Sequence, residues 1–243
     1  MALSVLLTSS LVNADSGHPP EKKVSIETKS EHHTLVHPFL AHMGMPDGPG
    51  EVSVRLNSIQ QRETGATAGT AASTMGFHLE AGIFNRLGLH LRNDGVALSK
   101  MTEMMVQYAI LKSENGKSGL ALIGEIEFPT GATAESKKEY LYGISFAHTW
   151  DSILSVNSVI HYNPEEKMTG WEIAFVTKLT ENFFPVLEFR GESGGGMSNT
   201  NGLFAWKFKT TGDHSIGLGY QQPLTTNRDY ESQLIAQAEF NFE

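Results

Sequence analysis

The sequence predicts an all-β fold: a single antiparallel transmembrane β-barrel of about twelve strands behind an irregular N-terminal segment. Three observations carry this. From Glu51 to its end the chain breaks into runs in which apolar and polar residues alternate one by one. The connections between those runs alternate short and long. The last run, Tyr230 to Phe242, places Leu234, Ala236, Ala238, Phe240 and Phe242 on one face and Ile235, Gln237, Glu239 and Asn241 on the other. A period of two puts successive side chains on opposite faces of a strand. Such a strand, longer than most globular ones and aromatic at its end, suits the closing edge of a membrane barrel.

Composition narrows the field. The 243 residues contain no cysteine, which excludes a disulfide framework and a thiolate metal site. A net charge of −9 argues against a nucleic-acid partner. The mean hydropathy is −0.22, and there is no run of about 18 apolar residues to form a transmembrane helix. Barrel strands escape that test because alternation dilutes their hydrophobicity. The 24 glycines and the scarcity of helix-period segments favour β structure.

In chain order, residues 1–14 (MALSVLLTSSLVNA) fit a secretory signal, with an apolar stretch from Ala2 to Leu11 and a small-residue cleavage pattern at Val12-Asn13-Ala14. They lack a basic start. Residues 15–50 hold five of the ten histidines and five prolines without strand alternation. This segment is expected to be mobile or folded into the lumen, as a plug or an anchor. Residues 51–243 form the barrel. The expected strands are 51–60, 74–83, 87–93, 102–112, 119–128, 139–149, 152–162, 170–179, 183–191, 202–210, 214–222 and 230–242. Tight turns at Asn85-Arg86, Trp150-Asp151, Thr180-Glu181-Asn182 and Thr211-Gly212-Asp213 interleave with longer loops at 61–73, 94–101, 129–138, 163–169, 192–201 and 223–229. Ser113 to Ser118 is the one long connection in a short slot. Outer-membrane barrels carry their long loops at one end, whereas a Greek-key sandwich needs no such asymmetry.

The faces follow from the alternation. Trp171, Ile173 and Phe175 oppose Glu172, Ala174 and Val176, and Phe204, Trp206 and Phe208 oppose Ala205, Lys207 and Lys209. Aromatics near run ends (Phe128, Tyr140, Tyr162, Trp171, Phe183, Tyr220, Tyr230, Phe242) suit interfacial girdles. The same alternation collects a charged lumen lined by Arg55, His78, Glu80, His90, Arg92, Gln107, Glu125, Glu127, His161, Glu172, Lys178, Glu188, Arg190, Lys207 and Lys209. Both signs are present, so internal ion pairing competes with a transport role for these residues. A barrel of this size suits a narrow or side-chain-filled bore rather than an open porin channel.

From about Leu120 onward the chain resembles a known family. The matching pieces are Glu127-Phe128-Pro129-Thr130-Gly131, Val186-Leu187-Glu188-Phe189-Arg190-Gly191, Gly217-Leu218-Gly219-Tyr220-Gln221-Gln222-Pro223-Leu224 and the closing strand. They resemble the meta-pathway phenol-degradation family of outer-membrane barrel transporters. That resemblance implies passage or binding of a small, aromatic or otherwise hydrophobic solute, and it carries over no functional residue.

The sharpest chemical cluster is His32, His33, His37 and His42, followed by Met43 and Met45. Imidazole and thioether together suit copper, and imidazole alone suits zinc or nickel. The spacing matches no closed metal site, and Pro38 interrupts any helix that would align the ligands. Catalysis finds no nucleophile–base pair. His214-Ser215 and His148-Thr149 are adjacent and so face opposite ways, and His161 and Ser155 lie far apart along one strand. Gly191 to Gly196 lacks the residues of a phosphate-binding loop. The sequence therefore points to a non-enzymatic, cofactor-free protein of the bacterial outer membrane. Its expected partners are the lipid bilayer, a small-molecule solute and the barrel-assembly machinery. The alternatives are a soluble secreted β-sandwich or lipocalin-like binding module, and a metal-handling outer-membrane protein that uses the histidine tract.

Overall fold

The computed structural model describes residues 36–64, 69–95, 101–113, 118–129, 137–210, 212–226, 228 and 230–242. The expected signal segment, His32 and His33 lie outside these residues. Twelve strands form: β1 (Val52–Glu63), β2 (Ala71–Phe84), β3 (Leu87–Asn93), β4 (Met101–Lys112), β5 (Ser118–Pro129), β6 (Glu139–Trp150), β7 (Leu154–Asn163), β8 (Met168–Thr177), β9 (Phe183–Gly194), β10 (Met197–Lys209), β11 (Ser215–Pro223) and β12 (Tyr230–Phe242). Each pairs antiparallel with its sequence neighbours, and β12 returns to pair with β1, closing the barrel. Closure leaves no edge strand, so the wall satisfies its own backbone hydrogen bonds without water, as a lipid setting demands.

The alternation sorts the two faces. Outward rows include Tyr140, Tyr142, Ile144, Phe146 and Trp150 on β6, Phe204, Trp206 and Phe208 on β10, and Leu234, Phe240 and Phe242 on β12, all exposed. None of these residues is charged. An apolar band of this kind, with aromatics toward both rims, is a lipid-facing surface rather than a solvated one. Phe183 stacks on Phe208 with ring centroids 4.9 Å apart, and Phe204 meets Trp206 edge-on at 5.4 Å. Tyr230 departs from the expected girdle. Its hydroxyl donates to Asn201 Oδ1 at 2.9 Å and receives a bond from the buried Gln221, so a phenol with polar partners in reach turns away from lipid.

One predicted loop is strand. The 192–201 stretch continues the ladder, with Glu192 paired to Asn199 and Gly194 to Met197. The reversal is confined to Gly195 and Gly196, both at positive φ, which a glycine pair adopts without a Cβ clash. On its other side β9 pairs with β8 to the same level, Gly194 with Met168. The length asymmetry of the connections is blunted there, while 64–70, 94–100 and 130–138 keep it at the same end.

Residues 36–50 precede β1 and carry almost no regular structure, yet most of them are buried. Their partners lie on β1, β2, β4, β6, β7, β8, β9, β10, β11 and β12. Only a segment running through the interior of a closed barrel can touch its wall all round. Phe39 is fully buried against β11, where Gly217 and Gly219 leave room for its ring; a Cβ on Gly217 would stand 2.7 Å from a Phe39 ring carbon. Val36, Phe39 and Leu40 join Ile59, Val176, Phe184, Val186, Leu203, Ala205 and Ile235 in the largest apolar cluster. At Gly44 the segment passes so close to β6 that a Cβ would sit 1.9 Å from the Phe146 carbonyl oxygen. It leaves along β2, where Gly50 N–H donates to Gly82 O at 2.8 Å and Gly82 N–H to Glu51 O at 2.9 Å.

Candidate functional site: the filled barrel interior

An irregular backbone has no ladder of its own, so its buried N–H and C=O groups need partners from elsewhere. The wall supplies them from charged and amide side chains. On β9, Glu188 accepts from the backbone N–H groups of Phe39, of Leu40 at 2.9 Å and of Ala41 at 3.1 Å. Arg55 on β1 donates to Pro38 O at 2.9 Å and Ala41 O at 3.2 Å. Lys207 on β10 donates to His37 O at 3.0 Å, and Gln237 on β12 to Phe39 O at 2.6 Å. Further along, Gln107 on β4 donates to Met43 O at 3.0 Å, and Asn157 on β7 accepts from Gly44 N–H at 3.0 Å.

The same side chains pair with one another. Arg55 reaches Glu80 Oε1 at 2.7 Å, and Lys207 is ion-paired with Glu239, which also accepts from Ser215 Oγ at 2.9 Å and contacts His37 Nδ1. Arg92 on β3 bonds Glu172 at 3.0 Å and Asp94 at 2.6 Å, and Arg190 reaches the same Asp94 at 2.6 Å. Asp94 lies just past β3. Burial alone raises its carboxyl, but the guanidinium groups of Arg92 and Arg190 outweigh this and hold it below the usual carboxylate range.

The residues singled out from the sequence divide into four sets. Arg55, Glu80, Glu188 and Lys207 hold the inner segment directly, and Glu172 does so through His42. Arg92, Arg190, Glu125, Glu127 and His161 stand farther toward the long-loop end. There His161 faces Glu125 at 3.4 Å, and Glu103, Glu125 and Glu127 gather. Lys178 and Lys209 sit near the opposite rim and pair with Glu181 and Asp213 of the adjoining connections. His78 and His90 meet near Glu80, together with His42 of the segment. Of the histidine tract, His37 and His42 go to different groups: His37 to Glu239, Asp47 and Glu80, His42 to Glu172, His78 and His90.

Sequence reasoning missed several residues of this interior. Asn157, Gln237 and Glu239 are buried wall partners whose only signal was their place on the polar face. It also missed a Ser–His contact: Ser118 Oγ lies 2.6 Å from His148 Nδ1 across the β5–β6 ladder. The ring of His148 packs against Phe146 and Trp150, and among the described residues no carboxylate bonds it, so it lacks the orienting group of a hydrolase.

No family model and no curated protein matches the chain. Solved structures do. A KdgM porin in complex with disordered oligogalacturonate superposes with a TM-score of 0.60 at 11% identity, covering 79% of this chain and 99% of that one. An outer-membrane channel from Pseudomonas putida F1 gives 0.57 at 10% identity over 82% and 97%. The NanC porin gives 0.56 at 11% identity over 79% and 99%. The fold is thus that of the outer-membrane β-barrel channels.

Proposed function

We propose that this protein is an outer-membrane channel for a small solute, with its bore narrowed by residues 36–50. The observation that carries this is the pairing of a closed, lipid-facing barrel with an interior in which charged wall residues hold an irregular segment. An irregular segment with no ladder of its own, seated inside a closed barrel, suits a gate or a constriction. The similar folds of porins support the channel reading, one of them a KdgM porin in complex with disordered oligogalacturonate. Family resemblance supports an aromatic or otherwise hydrophobic solute here, and the gathered Glu103, Glu125 and Glu127 disfavour a polyanion. An even strand count places both barrel ends of the chain on one side, with the long connections opposite. In the outer membrane that side is the periplasm, and the closing strand β12 is the part offered to the assembly machinery.

The test is solute flux in proteoliposomes, with purified protein and with Gly44→Val, whose side chain collides with β6. Gly44→Val is expected to raise the flux of small aromatic carboxylates and of sugars above that of the parent protein, with the aromatics favoured at equal size. Equal flux from the two proteins removes the gating role of the segment. A protein that stays monomeric without detergent removes the membrane channel altogether and returns the sandwich alternative.

A further inference from the structure

We propose that His42, His78 and His90 form a three-imidazole site for a divalent transition-metal ion of the zinc or copper class, joining the inner segment to the wall. His42 comes from the segment, His78 from β2 and His90 from β3, and all three are buried. One ring nitrogen from each lies within 4.8 Å of the others. His42 and His78 meet edge-on at 4.9 Å, and His90 completes the group at 5.8 and 5.9 Å between ring centroids. With metal–nitrogen bonds of about 2.0–2.1 Å, tetrahedral ligands stand roughly 3.4 Å apart, so small rotations of the rings close the site.

The surroundings prepare the ligands. Gln107 donates to Met43 O, which fixes its amide, so its Oε1 accepts the Nε2 proton of His90 at 3.2 Å. His90 Nδ1 is buried, lies 3.1 Å from Glu80 Oε1 and makes no well-aligned hydrogen bond there. Glu172 Oε2 lies 3.0 Å from His42 Nδ1, the carboxylate–histidine arrangement that leaves Nε2 to a metal, and Arg92 Nη1 lies at the same distance from that nitrogen. Glu80 Oε1 is also 3.2 Å from His78 Nε2 and stands where a fourth, anionic ligand belongs. Two guanidinium groups adjoin the site, Arg55 at 3.5 Å from His78 and Arg92 at 3.0 Å from His42. Each already has a carboxylate partner, Glu80 for Arg55 and Glu172 with Asp94 for Arg92, so the group as a whole does not repel a cation. Because one ligand is on the segment and two are on the wall, a bound ion favours the filled barrel.

The test uses the full-length protein folded in detergent, titrated with Zn2+ by calorimetry and with Co2+ by visible absorption. One ion per barrel and a tetrahedral Co2+ band, displaced by Zn2+, are expected. His78→Ala and His90→Ala are each expected to weaken binding by roughly a hundredfold or more, and Gln107→Leu, which removes no ligand, by about tenfold. The pair His32→Ala with His33→Ala is expected to leave the affinity unchanged. Heat-modifiable gel mobility reports whether each variant has folded. Unaltered binding in folded His78→Ala and His90→Ala, loss of binding in the His32/His33 pair, or no Co2+ band in the parent protein overturns the site. The result is read independently of solute flux.

Discussion

Glu188 illustrates how one residue sets the state of the interior. Its carboxylate sits where three consecutive backbone N–H groups converge, at Phe39, Leu40 and Ala41. Replacing it with alanine orphans all three inside the barrel. Glu188→Ala is expected to cost roughly 2–5 kcal/mol of segment docking, as unsatisfied buried donors do. Limited proteolysis within residues 36–50 measures this: cleavage should quicken in the variant while the barrel keeps its gel mobility, and an unchanged rate contradicts the role. Asp94 makes a pH-dependent contribution. Its carboxyl is held low by Arg92 and Arg190, so the link is at full strength above the unfolded value near pH 4 and weakens as pH falls toward the lower folded value. The urea midpoint of the parent protein minus that of Asp94→Asn should stay level from about pH 7 to about pH 4 and shrink only below. A difference that disappears by about pH 6 counts against this linkage.

At the scale of the element, each strand does two jobs through its parity. On β6 the outward row Tyr140, Tyr142, Ile144, Phe146 and Trp150 meets lipid, while Leu141, Ser145 and Ala147 turn into the buried interior. Ile144 lies midway along that row. Ile144→Arg should destabilise folding into vesicles by about 2–4 kcal/mol if the site is at the bilayer midplane. The same change in a solvated strand would cost almost nothing, so the urea midpoint in vesicles separates a membrane barrel from a soluble one. The β9–β10 hairpin behaves differently from the other long-loop connections because pairing continues to Gly194 and Met197.

Taken whole, the barrel has two ends of different chemistry. Asn182 lies in the connection before β9, and Ser198 lies at the far end of β10, so the topology puts them on opposite sides of the membrane. Single cysteines at these positions should label from opposite sides, Ser198→Cys from outside intact cells and Asn182→Cys only after the outer membrane is breached. No native cysteine competes. Labelling of both from outside defeats the orientation.

Much of this was legible in the sequence, because barrel walls are written in a local code. Side-chain parity and turn residues act over neighbouring positions, so the twelve strands follow from alternation alone. The run 87–93 matches β3 end for end, and 230–242 matches β12. Boundaries slipped where pairing outlasted the pattern, as at 192–201, since a ladder can run on through polar residues once its partner strand is in place. Residues 36–50 were outside the code altogether. They have no period, and their conformation comes from side chains up to about two hundred positions away, Glu188 and Gln237 among them. The histidines show the same limit. Sequence spacing grouped His37 with His42, whereas the fold gives His37 to Glu239 and seats His42 beside His78 and His90. Periodicity reports which way a residue points, but only barrel closure decides what stands opposite.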